Sequence, residues 1–301
     1  MDPALIFFGF GVGFLVGLSG MGGGSLMTPL LILVFGIKPV TAIGTDIFYA
    51  AITKMVGAWR HLKLKTVKLD LVLWMALGSV PSAIAGVWVI EVLQRQYGDD
   101  LDKDVFAILA AALLVVGVAT LVRGFFLMDK IQERDDFEMK RRHKVAAVSI
   151  GAATGFVIGI SSAGSGTLIG VMLIALYRLS PRRVVGTDIV HAAILLTAAG
   201  LAHMVGGNVD YGLAGNILVG SIPGIWVGSN MSVRFPQGVL RTVLGVVLVA
   251  AGFTIMNKAN TALVPYALVV AAVMILGLFA AQIYLPRRVS PRFLAAQAES
   301  K

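Results

Sequence analysis

Long apolar segments recur along this chain, and each is long enough to cross a lipid bilayer. A helix needs about 20 apolar residues to span the roughly 30 Å hydrocarbon layer. Segments of about that length lie at 40–59, 69–90, 105–126, 183–204, 213–231, 238–256 and 262–285. Of all residues, 14% are charged, against about 25% in a typical soluble domain. The chain is therefore predicted to be an all-α membrane protein, a polytopic helical bundle.

The net charge of +9 does not indicate a nucleic-acid-binding protein. Lysines and arginines fall in short segments between the apolar runs and near the C-terminus, a pattern typical of membrane topology. The chain has no cysteine, which excludes disulfides, thiol catalysis and thiolate metal sites. Nothing in the sequence indicates a cofactor, a metal site or a catalytic residue. The segment MDPALIFFGF lacks the basic start of a cleavable signal peptide, so we expect it to be retained.

The chain contains an internal duplication at an offset of 142 residues. Without a gap, GFLVGLSGMGGGSL at 13–26 aligns with GFVIGISSAGSGTL at 155–168, and GTDI at 44–47 aligns with GTDI at 186–189. From position 9 to 86, the two copies share 25 identities in 78 positions. Hydrophobicity alone would not keep glycine, proline and aspartate in register, so this pattern indicates two structural repeats.

The first apolar run of each repeat has an unusual length. Residues 4–36 would form a helix of about 50 Å, which is too long for one straight span. Two full spans need about 40 residues, and this run has 33. A broken, hairpin-like pair of short helices therefore fits best. The same interpretation applies to residues 145–179.

Charge placement supports the hairpins through the positive-inside rule. In the first half, the charged segments at 60–68 and 129–144 fall on the cytoplasmic side, and the acidic segment at 91–104 falls on the other. The second half has three basic segments: 177–183, 233–241 and 286–292. They all face the cytoplasm only if the apolar run at 145–179 returns to the side of the membrane where it began. The two copies are then inverted in topology, an arrangement typical of secondary transporters.

This topology divides the chain into five predicted parts. They are a first transmembrane repeat at 1–128, a cytoplasmic linker at 129–144, a second transmembrane repeat at 145–257, an additional C-terminal transmembrane helix at 258–285 and a cytoplasmic tail at 286–301. The protein would cross its membrane several times and end in the cytoplasm.

Each predicted hairpin is broken by a glycine-rich cluster, Gly20 to Gly24 and Ser162 to Gly166. Helix breaks in a membrane are tolerated where protein or a water-filled cavity satisfies the freed backbone groups. A hydroxyl, Ser25 or Thr167, follows each cluster at the expected start of a second short helix. Helix N-termini attract anions, so the glycines nearest these hydroxyls indicate an anion site, with close packing as the alternative: Gly22, Gly24, Gly164 and Gly166.

A second set of glycines recurs at four-residue spacing in the helix before each break. This spacing places small residues on one face of a helix, where they allow another helix to approach closely. We expect these glycines to serve packing: Gly9, Gly13, Gly17, Gly151, Gly155 and Gly159.

Two aspartates, Asp46 and Asp188, lie inside predicted spans. A carboxylate in a membrane is costly and is typical of proton relays, ion sites or ion pairs. Tyr49 and His191 follow near the next helical turn on the same face, so these four residues are predicted to couple or gate transport. The alternative is that the aspartates cap helices. Lys54 is expected to extend to the membrane surface, with neutralisation of a substrate as the alternative.

These motifs resemble the TauE/SafE family of membrane proteins, named for sulfite export. The resemblance covers nearly the whole chain and is carried by GFLVGLSGMGGGSLMTPLLI, by GFVIGISSAGSGTLIGVMLI and by the GTD that follows each. It implies a multi-pass inner-membrane carrier of small sulfur-containing anions, such as sulfite, sulfonates or related organosulfur acids. It also implies a substrate region at the two breaks: Gly22, Gly23, Gly24, Ser25, Gly164, Ser165, Gly166 and Thr167.

Many members of this family carry serine after the Gly-Thr pair, where this chain has Asp46 and Asp188. This departure favours coupling of transport to protons. The expected partners are therefore a small anion, protons and the lipid bilayer, and no nucleic acid. The resemblance leaves the direction of transport and the oligomeric state open, with a homodimer as one alternative.

Two other functions compete with a carrier that works by alternating access. GLSG at 17–20 matches the G-x-S-G of rhomboid-like intramembrane proteases, but the second copy reads GISS. The protease also needs a histidine beside its serine, and both His61 and His203 are expected at membrane edges. A non-transporting protein would instead bind a partner through 129–144, although mixed charge there is typical of a solvated connector. We therefore expect a transporter and not an enzyme.

Overall fold

A computed structural model describes residues 2–19, 24–98, 101–126, 139–231, 237–259 and 265. Their secondary structure consists of ten α-helices: α1 (Pro3–Ser19), α2 (Gly24–Val34), α3 (Pro39–Lys63), α4 (Leu69–Tyr97), α5 (Leu101–Phe126), α6 (Arg141–Ser161), α7 (Leu168–Tyr177), α8 (Pro181–Val205), α9 (Tyr211–Met231) and α10 (Gln237–Met256). Within these residues, five helices are long and apolar enough to cross a membrane, namely α4, α5, α6, α8 and α9. The prediction of an all-α, polytopic membrane protein is confirmed.

The helices of the two halves match one to one at the 142-residue offset. The match is complete for α3 and α8, which each have 25 residues and begin at equivalent prolines. Proline suits the first position of a helix because it has no N–H to leave unbonded and its φ is already helical. In the same order, α1 matches α6, α2 matches α7, α4 matches α9 and α5 matches α10.

The described residues of the first apolar run in each half form two helices, and the glycine-rich cluster lies between them in the sequence. Four residues separate α1 from α2, and six separate α6 from α7. In the second half, the chain leaves α6 through Ser162, whose φ of 57° is left-handed. Gly164 and Gly166 follow with φ values of 105° and 97°, a region that residues with a Cβ rarely enter. These two glycines are therefore needed to turn the backbone between the helices.

Helices α1 and α9 run in the same direction. A Cβ placed on Gly9 would meet Ile217, and one placed on Gly17 would meet Ile225, so residue numbers rise together along the contact. The equivalent helices α6 and α4 pack in the same parallel manner. The glycines at four-residue spacing therefore form packing faces, as predicted.

Helices α3 and α8 run in opposite directions, since Gly57 lies against Ile189 and Gly200 lies against Phe48. A connection of five residues, 206–210, then reverses the chain from α8 into α9. It follows that α3 runs parallel to α9, and hence to α1. Only four residues link α2 to α3, so α2 has to return toward the side where α1 began. The predicted hairpin is confirmed.

The antiparallel packing of equivalent helices also defines the symmetry of the molecule. Besides α3 and α8, the equivalent helices α5 and α10 are antiparallel, with Gly117 against Val249 and Gly252 against Leu114. Equivalent helices that run antiparallel are related by a two-fold axis perpendicular to them. For membrane-spanning helices, such an axis lies in the plane of the membrane, and this is the inverted topology that the charges predicted.

Some predicted parts of the chain lie outside the described residues. These are 127–138, which include most of the linker, 260–264 and 266–285 of the C-terminal helix, and the tail at 286–301. Helix α10 ends at Met256, next to the predicted end of the second repeat. The division of the chain into five parts stays a prediction.

Polar side chains of the interior concentrate on α3 and α8, the antiparallel pair at the centre: Thr45, Asp46, Lys54, Thr187, Asp188, His191 and His203. By contrast, α4 and α9 expose large apolar side chains on their outer faces: Leu73, Leu77, Trp88, Val219, Ile222 and Trp226. Apolar outer faces are what contact with lipid requires, because lipid offers no hydrogen bonds to polar groups. A functional site is therefore expected along the central pair.

Candidate substrate and coupling site

Asp46 lies fully buried between the broken helices of the two repeats. Its Oδ2 atom accepts a hydrogen bond of 2.6 Å from the Thr28 hydroxyl of α2 and one of 2.7 Å from the Ser162 hydroxyl. Ser162 is the first residue after α6, so this carboxylate joins a broken helix of one repeat to the break of the other. Among the described residues, no group hydrogen-bonds to its Oδ1 atom.

Neither aspartate caps a helix. Helices α3 and α8 begin at Pro39 and Pro181, about two turns before Asp46 and Asp188. A capping side chain bonds to N–H groups in the first turn of its own helix. The capping alternative is therefore wrong, and the two carboxylates are placed for contacts between helices.

Asp188 has a partner of a different kind. Its Oδ2 atom lies 3.9 Å from the Lys54 Nζ atom, and the two side chains are 8% and 9% exposed. Lys54 belongs to α3, so this ion pair bridges the antiparallel crossing of α3 and α8. The expectation that Lys54 extends to the membrane surface is wrong. A buried counter-charge is available to it, and charges inside membrane proteins usually pair in this way.

Tyr49 and His191 occupy equivalent positions after the two aspartates, and both are buried. The His191 Nε2 atom lies 2.9 Å from the Ser79 hydroxyl of α4. Ser221 of α9 matches Ser79 in the other repeat, but the Tyr49 hydroxyl has no hydrogen-bond partner among the described residues. Of these two side chains, His191 thus connects a central helix to the opposite repeat.

The second break is buried along its whole length. Gly164, Ser165, Gly166 and Thr167 all lie inside the protein. The Ser165 side chain is 1% exposed, and its hydroxyl has no hydrogen-bond partner among the described residues. The N–H of Leu168 bonds to the Gly164 carbonyl at 3.1 Å, so the turn leads directly into α7. The break therefore presents a buried hydroxyl close to the start of a helix.

Only part of the first break can be compared. Gly22 and Gly23 lie outside the described residues. Gly24 and Ser25 form the start of α2, at the positions that match Gly166 and Thr167 before α7. The next turn of α2 supplies the hydroxyl that bonds to Asp46. The structure thus brings α2 and the second break together on a single carboxylate.

The Gly-Thr step before each aspartate holds a loop of the opposite repeat. The Thr45 hydroxyl accepts a hydrogen bond of 3.0 Å from the Asp210 N–H, and the Thr187 hydroxyl accepts one of 3.0 Å from the Lys68 N–H. Asp210 and Lys68 are equivalent at the 142-residue offset. The glycine of each step leaves no room for a Cβ beside the loop. The repeated motif therefore docks the repeats on each other.

His61 and His203 support the same two loops. The His61 Nδ1 atom lies 2.8 Å from the Thr66 hydroxyl, and the His203 Nδ1 atom lies 3.4 Å from the Asn208 amide nitrogen. Thr66 and Asn208 are equivalent residues of the docked loops. Within the part of the chain that the structure describes, no three acidic or histidine side chains gather to hold a metal ion.

The sequence interpretation missed the role of Thr28 and the specific contact made by Ser162. A signal for Thr28 exists, because it is a lone hydroxyl among apolar residues in MTPLLILV of α2. A hydroxyl in such a setting usually bonds to another helix. No local signal marks the pairing of Lys54 with Asp188, since antiparallel packing brings together residues that are far apart in the chain.

Comparison with known proteins identifies the family of the chain. The sequence profile of a family described as "Sulfite exporter TauE/SafE" matches residues 5–255. The chain belongs to this family. Both repeats and both breaks lie within the matched region, so the TauE/SafE match covers all the residues that build the site.

Three proteins similar to this TauE/SafE chain are described as probable membrane transporter proteins. YjnA of Bacillus subtilis is 38% identical over 254 residues, which cover 84% of this chain and 98% of YjnA. YdhB of the same organism is 27% identical, over 82% of this chain and 97% of YdhB. A protein of Methanocaldococcus jannaschii is 26% identical, over 81% of this chain and 92% of its own length. No solved structure matches the chain. The chain is therefore a multi-pass membrane transporter of the TauE/SafE family.

Proposed function

We propose that this protein is a secondary carrier that moves small sulfur-containing anions across the inner membrane together with protons, by alternating access. Its substrates would be sulfite, sulfonates or related organosulfur acids. The observation that carries the proposal is the buried carboxylate of Asp46, which accepts hydrogen bonds from Thr28 of one broken helix and from Ser162 of the other break. A titratable group thus touches both elements that are expected to hold the anion.

The breaks are suited to an anion because each ends at the start of a short helix, where partial positive charge accumulates. Interrupted helices with this orientation hold anionic groups in other carriers built from inverted repeats. In the second break, the buried Ser165 hydroxyl is available as a donor to an anion oxygen. The name of the family, sulfite exporter, supports an oxyanion of sulfur as the substrate.

A carboxylate beside an anion site couples anion binding to proton binding. Two unit negative charges about 6 Å apart repel each other by about 3 kcal/mol at an effective dielectric constant near 20. Such repulsion corresponds to roughly a hundredfold loss of affinity. Protonation of Asp46 removes this repulsion, so the anion binds more tightly when a proton is also bound. The coupling needs no metal ion or cofactor.

A flux screen in proteoliposomes tests the proposed function. Purified protein would be reconstituted, and uptake of radiolabelled sulfite, sulfate, thiosulfate and short sulfonates would be measured with and without an imposed pH gradient. We expect at least one of the sulfur oxyanions to accumulate, and a pH gradient that is acidic on the outside to increase its uptake. Absence of uptake for every anion would overturn the proposal of sulfur-anion transport.

A charge placed in the second break tests where the anion binds. Ser165→Asp should abolish anion uptake, because it adds a negative charge to a side chain that is 1% exposed within the break. The matched control is Ser229→Asp, which adds the same charge at an exposed position of α9. Uptake by the control should resemble that of the unmodified protein. Normal uptake by folded Ser165→Asp would exclude the second break as the anion site.

A further inference from the structure

The internal symmetry allows the surroundings of the two aspartates to be compared position by position. Asp46 accepts hydrogen bonds from Thr28 and Ser162. At the 142-residue offset, the positions that match these two hydroxyl residues are occupied by Gly170 and Gly20. Glycine has no side chain to donate a hydrogen bond. The two hydroxyls that bond to Asp46 therefore have no counterparts at the equivalent positions of the other repeat.

The cation beside Asp188 is likewise not repeated. Lys54 lies 3.9 Å from Asp188, and its match in the second repeat is Leu196. Leu196 is fully buried and carries no charge. The sequence thus places an ammonium group beside one aspartate and two hydroxyls beside the other. The helices of the two repeats match one to one, but the groups beside their two equivalent carboxylates differ, and this difference separates the roles of Asp46 and Asp188.

Among the described residues, the side chains that bond to the Asp46 carboxyl group are two uncharged hydroxyls. Helix α2 and the turn at 162–167 contain no titratable residue. On α3, Tyr49 follows near the next turn, and its hydroxyl forms no hydrogen bond within the described residues. Helix α8 contributes His191 and His203, whose Nε2 atoms contact the Ser79 hydroxyl and the Gly159 carbonyl.

Two further helices pack against α3, and both carry titratable groups near their first turn. Directly before α9, Asp210 bonds to the Thr45 hydroxyl through its backbone N–H, and its carboxylate accepts from the Leu213 N–H. Helix α9 has Tyr211 at its first position, with its ring against Phe48. Helix α5 has Asp102, Lys103 and Asp104 in its first turn, and its central turns are apolar. Within the described part of the chain, none of these groups forms an ion pair or a hydrogen bond with the Asp46 carboxyl group, so no paired charge holds it in one protonation state.

We propose that Asp46 alone carries the coupled proton, whereas Asp188 stays ionised beside Lys54 throughout the transport cycle. This inference rests on the proposed function and assigns its proton to one residue. On the acidic side of the membrane, the Asp46 carboxylate takes one proton from water and becomes a neutral carboxyl group. The proton binds at Oδ1, because the Thr28 and Ser162 hydroxyls both donate to Oδ2. On the other side, the O–H bond breaks, the proton returns to water, and the carboxylate forms again. The Lys54–Asp188 pair keeps the same net charge in both states.

Infrared difference spectroscopy of the purified protein, taken between acidic and alkaline buffer without substrate, measures protonation directly. A buried carboxyl group that gains a proton gives a carboxylic-acid C=O band at higher frequency than carboxyl groups exposed to water. We expect this band to be lost in Asp46→Asn and to remain in the double variant Lys54→Leu/Asp188→Asn, which removes both charges of the pair. Asp46→Ser, which keeps a hydroxyl beside Thr28 and Ser162, serves as a second variant if Asp46→Asn does not fold.

Uptake of radiolabelled sulfite by the same variants gives an independent readout. Asp46→Asn should lose the increase in uptake caused by a pH gradient, whereas the double variant should keep that increase. A high-frequency C=O band that persists without Asp46, or disappears in the double variant, would overturn the inference. If no anion is transported, the proposed function fails, whereas the spectra still decide which aspartate binds the proton.

Discussion

Single residues in the interior of this protein show two ways of stabilising a charge away from water. A buried carboxylate is costly unless other groups replace its lost hydration. Asp46 receives two hydroxyl hydrogen bonds, and bonds of this kind to a charged group contribute about 1.5–3 kcal/mol each. Asp188 lies instead beside an ammonium group. A buried ion pair adds little net stability, but loss of one partner leaves a charge uncompensated.

This asymmetry predicts a non-additive effect of substitutions at Lys54 and Asp188. Lys54→Leu alone should lower the free energy of unfolding by about 3–5 kcal/mol, because it leaves Asp188 buried without its counter-charge. Asp188→Asn alone should act in the same direction. The double variant Lys54→Leu/Asp188→Asn should recover most of the loss, since neither charge remains. Thermal unfolding of the purified variants in detergent measures the three effects.

A matched control for this prediction lies at the start of α4. Lys68 and Asp70 are also 3.9 Å apart, but the Asp70 side chain is 68% exposed. Asp70→Asn should change stability by less than about 1 kcal/mol, because water screens an exposed pair. Equal losses at the two pairs would show that burial is not the reason why the Lys54–Asp188 pair matters.

The sequence was sufficient to single out Asp46 and Asp188, because a carboxylate in an apolar span is costly and so requires a specific partner or role. It was not sufficient to find their partners. Whether a lysine reaches the membrane surface or a buried carboxylate depends on which helix lies beside it, and local sequence carries no such information. The pairing of Lys54 followed only from the antiparallel crossing of α3 and α8.

Among the helices, the tightest packing depends on direct backbone contact at small residues. On α1, a Cβ added to Gly13 would lie 2.5 Å from the Ser221 carbonyl oxygen of α9. On the same helix, a Cβ added to Gly11 would meet nothing within 4 Å. These two glycines therefore distinguish the effect of helix contact from the effect of glycine itself.

Gly13→Ala is expected to destabilise the protein by about 1–3 kcal/mol, the usual cost of overpacking. Gly11→Ala, the control, should be neutral or should stabilise by roughly 0.5–1 kcal/mol, because alanine loses less conformational freedom in a helix. Thermal unfolding in detergent compares the two variants. If Gly11→Ala were as harmful as Gly13→Ala, close contact between α1 and α9 would not be the cause.

The breaks in the helices were predictable for two reasons. The first apolar run of each repeat is too long for one span and too short for two, and a glycine-rich cluster marks the turn within it. The partners of the broken helices were not. Helix α1 packs mainly on α9, and α6 packs mainly on α4, so each broken helix lies against the opposite repeat. An internal duplication in the sequence indicates that the two repeats fold alike, but it does not indicate that the first helix of each repeat packs against the other repeat.

At the scale of the whole molecule, the packing of helices from one repeat against helices of the other constrains any alternating-access movement. The packed groups α1 with α9 and α4 with α6 each contain helices of both repeats, and α3 and α8 lie together at the centre. Moving one entire repeat against the other would break the most extensive contacts in the protein. We therefore expect the moving bodies to combine helices from the two repeats, with the Gly-Thr steps of α3 and α8 holding the loops at each side.

Inverted topology makes a final prediction about the two faces of the membrane. Lys63 and Val205 are equivalent positions at the ends of α3 and α8, and both are exposed. Because α3 and α8 are antiparallel, these two helix ends should lie on opposite sides of the membrane. The positive-inside rule places Lys63 in the cytoplasm, since it belongs to the basic segment at 60–68.

Single-cysteine labelling measures this arrangement directly, because the chain has no cysteine that would react in the background. A membrane-impermeant maleimide should label Val205→Cys in right-side-out vesicles and Lys63→Cys in inside-out vesicles, and both variants should react in detergent. Labelling of both from the same side would contradict the inverted repeats. Labelling from opposite sides in the reversed sense would preserve the inversion but place the 60–68 loop outside, so the two parts of the topology are tested separately.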